Sequence, residues 1–252
     1  MKELFETLLY HPFFNLLIFF YSVLPIHDLG IAIILLTILV KVILWPISWQ
    51  QLKAQKSLQE LQPKIKALQQ QHKDDKQALG VAQMQLFTEH KVNPLTSCLP
   101  SLVQIPFLIA LFYTFINGLK EHDFSILYSF IQQPQVLQEA FLGTFSLTAS
   151  HNIPLAIVVG AAQFVQAWML LPKTEARVKG SKDEDMTAMM NKQMTYMMPI
   201  MTGYFSYIFP SGLGLYWFTH SLLSILQQWL FVRATPAPPP PSTLVIDGKT
   251  QP

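Results

Sequence analysis

Lys41 is the only charged side chain between Asp28 and Lys53, and it sits inside the apolar run 29–49. At about 1.5 Å per residue that run matches the roughly 30 Å hydrocarbon core of a bilayer, which puts the ammonium group within the membrane and nearer one face. A charge at such depth costs about 3 kcal/mol or more, so it must find water, a partner or a route to the interface. Two readings stand. Lys41 is eight residues from Trp49, about 12 Å of helix, and its stem recovers part of that distance by snorkelling. Alternatively it faces a polar cavity among helices, the reading that intramembrane charges generally favour. Thr37 lies one turn away on the same face, and Gln104, Gln166, Ser221, Ser224 and Gln227 give other apolar stretches polar side chains. Singly, such residues hydrogen-bond between helices for about 0.6 kcal/mol each. Collected beside a charge, they favour water.

Other chemistry has no visible support. Cys98 is the only cysteine, so neither a disulfide nor a cysteine-based metal site forms within one chain. His11, His27, His72, His90, His122, His151 and His220 lack metal-binding spacing, and no phosphate loop or nucleophile elbow occurs. The expectation is a protein with no catalytic residues, no metal and no cofactor.

Hydrophobic residues make up 51% of the chain and charged residues 13%, about half the charge of an ordinary soluble protein. The charges are also segregated, with none at 92–119, 140–172 or 193–232. The last gap is about 60 Å of helix, twice the bilayer core, and Pro210-Ser211-Gly212 near its middle marks a turn. The fold class expected is therefore all-α and polytopic, with five transmembrane helices at 29–49, 95–117, 153–172, 193–209 and 213–232. Lys53, Lys56, Lys64, Lys66, Lys73, Lys76, Lys91, Lys173, Arg177, Lys179, Lys182, Lys192 and Arg233 fall on one side, against Lys2 and Lys120 on the other. By the positive-inside rule the N-terminus is outside and the C-terminus cytoplasmic. Trp45, Trp49, Trp168 and Trp229 lie near the cytoplasmic span ends, as an aromatic belt would.

The stretch 12–26 is apolar but short for a span, and reads as an interfacial helix on the outer face with Asn15 and Ser22 off its greasy side; were it to cross, the chain would have six spans. Residues 1–27 then form an N-terminal element, 28–233 the five-span core and 234–252 a disordered, Pro-rich tail. Within the core, Leu58, Leu61, Ile65 and Leu68, then Leu79, Ala82 and Leu86, predict a cytoplasmic helical hairpin at about 50–92. Pro63 should kink or interrupt its first arm. Met186, Met189, Met190, Met194, Met197, Met198 and Met201 crowd the start of the fourth span; packing is the simpler reading of them and an adaptable contact surface the other.

Asn93-Pro94-Leu95-Thr96-Ser97-Cys98-Leu99-Pro100, running on through Gln104-Ile105-Pro106, resembles the second core span of the YidC/Oxa1/Alb3 membrane protein insertases. Phe209-Pro210-Ser211-Gly212-Leu213-Gly214-Leu215-Tyr216-Trp217, ending in Gln227-Gln228, resembles the turn and last span of the same family. The segment 37–46 is similar to its first core span, with Lys41 where the family usually holds Arg. The resemblance covers about residues 8–233 and is to the short bacterial form, without a large periplasmic domain. It implies a multi-pass inner-membrane protein with a groove open to the cytosol and to lipid. Polar tails of nascent membrane proteins would cross there beside Lys41, and their apolar segments would slide out past Ile105, Pro106, Tyr204, Phe205, Tyr216 and Trp217. Implied partners are nascent membrane proteins and the lipid bilayer, with the ribosome and the Sec translocon as further candidates and no sequence-specific nucleic acid. Two alternatives remain open. A small-solute or ion transporter predicts paired broken helices and an internal repeat, which the unlike spans do not show. A passive assembly scaffold needs the same helix-binding surfaces as an insertase.

Overall fold

The computed structural model describes residues 2–72, 75–93, 96, 99–119, 124–169 and 193–235. The Pro-rich tail beyond Thr235, the second basic loop with Met186, Met189 and Met190, and Cys98 lie outside them, as do positions 73, 74, 94, 95, 97 and 120. The chain is mostly helical. In order come α1 (Lys2–Phe5), α2 (His11–Val23), α3 (Leu29–Ile43), α4 (Trp45–Gln71), α5 (Lys76–Glu89), α6 (Leu99–Tyr113), α7 (Ile153–Met169), α8 (Met198–Ile208) and α9 (Ser211–Ala234). A π-helical turn, Glu6–Tyr10, joins α1 to α2 without a break, and two more, Thr114–Leu119 and Gln193–Met197, follow α6 and precede α8.

By length and apolarity, one uninterrupted helix among the described residues suffices to cross a bilayer, Glu3–Val23. A second qualifies if α3 and α4 are taken together across the 63° bend between them, and 103–117 and α7 are apolar but shorter. The N-terminal helix is thus longer than the apolar stretch 12–26, because Glu3 and Glu6 join it as helical residues outside the greasy face. The expectation of one helix over 29–49 needs correction. Helix α3 ends at Ile43, and Leu44 carries the bend, since Pro46 lacks the N–H that would continue the ladder and instead opens α4. Pro63 does not interrupt α4. Leu61 and Ile65 of α4 pack with Leu86 of α5, with Leu68 and Phe87 alongside, and that contact outweighs the one backbone bond a proline forfeits.

The core lies where α3 and α9 begin. Phe14, Leu17, Ile18 and Tyr21 of α2, Leu29, Ala32 and Ile33 of α3, Ala110 and Leu111 of α6 and Leu213 of α9 are all almost wholly buried there. Helices α7 and α9 start at this same end, since Ser211 N and Oγ both donate to Ala149 O, at 2.8 and 2.7 Å, and Ser221 of α9 reaches Gln163 of α7 ten residues in. Trp49 packs edge-on against Phe231 at 5.0 Å at the opposite end, near Arg233, whose guanidinium lies 3.6 Å over Trp229.

Two features depart from the pattern read in the sequence. Asn15 is not turned off the packed face but buried. Its amide donates to His11 O and Ile126 O at 2.8 and 2.9 Å and accepts from Tyr128 N, because the segment 124–138 folds over α2 and would otherwise bury unpaired backbone groups. The chain is also not purely α. Ala140–Phe141 pairs antiparallel with Phe145–Ser146 around Leu142 and Gly143, both at positive φ. This hairpin is seated on α3, where a Cβ on Gly30 would meet the Phe141 ring at 2.1 Å. Asp28 joins the two, one carboxylate oxygen accepting from Ile31 N at 2.9 Å as the N-cap of α3 and the other from Leu142 N at 2.6 Å. Asp28→Ala is expected to cost about 1–2 kcal/mol by losing a cap and a loop bond. Thermal unfolding followed by circular dichroism checks this, with Asp28→Asn recovering only one of the two bonds, because its amide nitrogen cannot accept from a backbone N–H.

Candidate functional site

Helix α3 is apolar except at Thr37 and Lys41, which stand one turn apart on the face turned towards α9. Helix α9 answers with Tyr216, His220, Ser224 and Gln227, spaced 4-4-3 and therefore on one stripe of the helix. Lys41 is 9% exposed, and its Nζ donates to Ser224 Oγ at 2.8 Å. The amine turns to the neighbouring helix and not along its own towards Trp49, which decides against snorkelling. Ser224 passes its own proton to His220 O at 2.8 Å, leaving its lone pairs for the lysine.

These groups line a partly open cavity with about 130 Å³ of room for water-sized molecules. Its walls come from α3 (Thr37, Val40, Lys41), α4 (Ile47, Ser48, Gln51, Leu52, Gln55), α6 (Val103, Gln104), α7 (Gln166) and α9 (Tyr216, His220, Ser224, Gln227, Gln228), with Leu44 at the bend. Gln104 on α6 hydrogen-bonds the Tyr216 hydroxyl, closing one side. Among the described residues, five buried side-chain polar atoms lack a protein partner, and four of them belong to this wall: Gln55 Oε1, Gln166 Oε1, Gln227 Nε2 and Gln228 Oε1. Buried amides are ordinarily paired with protein or water, so these four atoms leave positions in the cavity wall that water would satisfy.

Of the polar residues singled out in the sequence, Thr37, Lys41, Gln104, Gln166, Ser224 and Gln227 meet at this wall. Ser221 does not, being rotated about the helix to donate to Gln163 Oε1 at 3.0 Å. The apolar candidates divide. Ile105 and Tyr204 are 49% and 59% exposed, and Pro106, Phe205 and Trp217 are half-buried, the last two bridged by Phe209 at centroid distances of 5.7 and 6.4 Å. Tyr216 instead faces inward, 5% exposed. Sequence reasoning missed Ser48, Gln51, Gln55, His220 and Gln228. The stripe spacing on α9 would have found His220. On α4, polar residues are too common for a signal to stand out.

The chain matches the family model described as 60Kd inner membrane protein over residues 19–237. It belongs to that family. It is 36% identical over 208 residues to a protein of Fusobacterium nucleatum named membrane protein insertase YidC, covering 82% of this chain and 88% of that one. A protein of the same name from Francisella tularensis subsp. novicida is 35% identical over 220 residues, covering 86% of this chain but 35% of the relative. Among solved structures, one described as an active YidC insertase with the first transmembrane domain resolved aligns with a TM-score of 0.56 at 26% identity, over 85% of this chain and 45% of that one. The relatives with which it aligns thus include one of nearly its own length and another about two and a half times as long.

Water and one positive charge in this cavity would make a measurable difference to a thiol placed in it. With Cys98→Ser as background, Thr37→Cys and Gln51→Cys are expected to react with small methanethiosulfonates while Thr114→Cys, fully buried in the packed end, does not. The anionic reagent should outpace the cationic one, and Lys41→Met should remove that preference. Labelling rates followed by mass spectrometry check both.

Proposed function

We propose that this chain is a membrane protein insertase of the bacterial inner membrane, which moves short polar tails of nascent membrane proteins across the bilayer and releases their apolar segments into lipid. One observation carries the reading. A buried ammonium group, bonded to a serine of the facing helix, lies in a partly open cavity beside four amide atoms without protein partners. Membership of a family whose named relatives are insertases supplies the reaction class.

In this reading the cavity is the inner part of a groove among five spans, opened to the cytosol and to lipid and closed outside by the apolar core at the starts of α3 and α9. The N-terminal helix lies along the outer surface, the α4–α5 pair projects into the cytosol as a hairpin, and the C-terminus is cytoplasmic. Water in the groove shortens the dry distance a polar tail must cross. Lys41 draws acidic residues of the tail into it, in surroundings where charge attraction exceeds that in bulk water. The membrane potential then acts on each negative charge, at about 2.3 kcal/mol per 100 mV, in the outward direction. The amide and hydroxyl groups of Thr37, Gln104, Gln166, Ser224 and Gln227 replace part of the tail's hydration, with Ser221 holding α7 against α9 behind them.

The apolar segment would leave along the exposed side, past Ile105, Pro106, Tyr204 and Phe205, with Trp217 at its edge. Exposed Met197, Met198 and Met201 extend that surface and adapt to segments of varied shape. Nascent membrane proteins and lipid are the partners this requires; the ribosome and the Sec translocon would deliver substrate. The chemistry needs no cofactor.

Reconstitution in liposomes with a short single-span substrate bearing an acidic N-terminal tail tests the proposal. Protease protection of the tail should survive Lys41→Arg, fall with Lys41→Ala by about tenfold in initial rate, equivalent to about 1.4 kcal/mol of barrier, and fall furthest with Lys41→Glu. Equal protection for all four proteins would remove the charge from the mechanism. No protection with the wild-type protein would overturn insertion itself and leave an assembly scaffold.

A further inference from the structure

The charge on Lys41 has no balance within the described protein. None of the cavity's lining residues is acidic, and no described carboxylate lies within ion-pairing distance of Nζ. The nearest acid along its own helix is Asp28, thirteen residues away, about 20 Å of helix, and both of its carboxylate oxygens serve backbone N–H groups. Ser224 gives the ammonium group one neutral acceptor, and Lys41 also lines the cavity, so its other two protons have no described protein acceptor. In the same wall Gln227, 2% exposed, holds an amide nitrogen with no protein acceptor. A buried donor left so costs about 1–3 kcal/mol, and a buried charge without a counter-charge costs more.

Water alone meets the hydrogen-bonding need of these donors but not the charge. A small anion meets both. We propose that the cavity binds a monovalent inorganic anion, for which chloride is the abundant aqueous candidate, between the Lys41 ammonium and the Gln227 amide. The cavity's roughly 130 Å³ accommodates it with water still attached. The site carries one positive charge and lacks arginine, so it does not match a multiply charged phosphate, which guanidinium forks suit better. The unpaired Gln55, Gln166 and Gln228 oxygens repel an anion from the remaining wall and hold the water that separates it from them. The anion keeps the groove charged but neutralised at rest. It leaves when a carboxylate of an entering tail takes its place, a step that rests on the insertase reading, whereas the binding site itself does not.

The test uses the full chain in nanodiscs of zwitterionic lipid, with chloride replacing isethionate at constant ionic strength. Chloride-35 line broadening should be saturable, and Tm should rise along the same curve. Lys41→Arg should keep both effects, Gln227→Leu should weaken them, and Lys41→Met should lose them; Tm in isethionate shows whether each variant is folded. Broadening that stays linear in chloride, or is equal in the wild type and Lys41→Met, overturns the site. A rise in Tm produced by anionic lipid in isethionate, with no saturable chloride broadening in either lipid, assigns the site to a lipid headgroup and overturns the halide. In liposomes, chloride should slow insertion of an acidic tail and leave a neutral tail unaffected. Saturable binding without that slowing overturns the displacement step alone, and failure of all insertion is read separately from the binding curve.

Discussion

The ammonium group of Lys41 can exist between apolar helices only if another helix brings it polar partners at the right height. That requirement couples α3 to α9. Lys41 lies twelve residues into α3 and Ser224 thirteen residues into α9, both helices starting from the same packed end, so their common origin sets the register. The register is fixed there by contacts that leave little play. Asp28 caps α3 and holds the hairpin loop, Gly30 accepts the Phe141 ring against bare backbone, and Gly212 N donates to Leu147 O at 2.8 Å. A slip of one residue on either helix would rotate its stripe by about 100° and separate the amine from its acceptor.

The same two helices therefore change character along their length. Their first turns are sealed by side chains almost fully excluded from solvent, and their later turns carry Thr37, Lys41, His220, Ser224 and Gln227. This is why α9, with 24 residues the longest helix after α4, does not qualify as an apolar span on composition. Tyr216, His220, Ser224, Gln227 and Gln228 line the cavity, Ser221 turns to α7, and Leu222, Leu226, Leu230 and Val232 remain exposed. In the proposed function, α9 would stand between the groove and lipid.

What the sequence made legible follows from what burial costs. A charge or amide within an apolar run is expensive, so Lys41, Thr37, Gln104, Gln166, Ser224 and Gln227 stood out individually, and all six meet. Ser221 stood out equally and lies elsewhere, because three residues of helix turn it towards Gln163 on α7, where an interhelical bond satisfies it without water. Ser48, Gln51 and Gln55 could not be distinguished. In the amphipathic α4 a polar side chain costs nothing, and only the bend at Leu44 brings that face over the cavity. The inward turn of Tyr216, the burial of Asn15 and the small β-hairpin likewise depend on segments far apart in sequence, Gln104 for the first and 124–147 for the others. Local pattern carries no record of such partners.

By the resemblance read in the sequence, lysine stands at position 41 where most of the family holds arginine, which in the proposed function would alter how the cavity meets charge. An arginine fork fixes two parallel bonds to a carboxylate and so selects an angle as well as a sign. An ammonium group is a point charge with three donors that rotate about one bond. Here one donor is held by Ser224, and the other two have no described protein acceptor. Recognition in such a wall is Coulombic, with little demand on geometry. In the proposed function that would suit acidic groups arriving in varied positions on different chains, and the charge on Lys41, more than the shape around it, would be the property the fold protects.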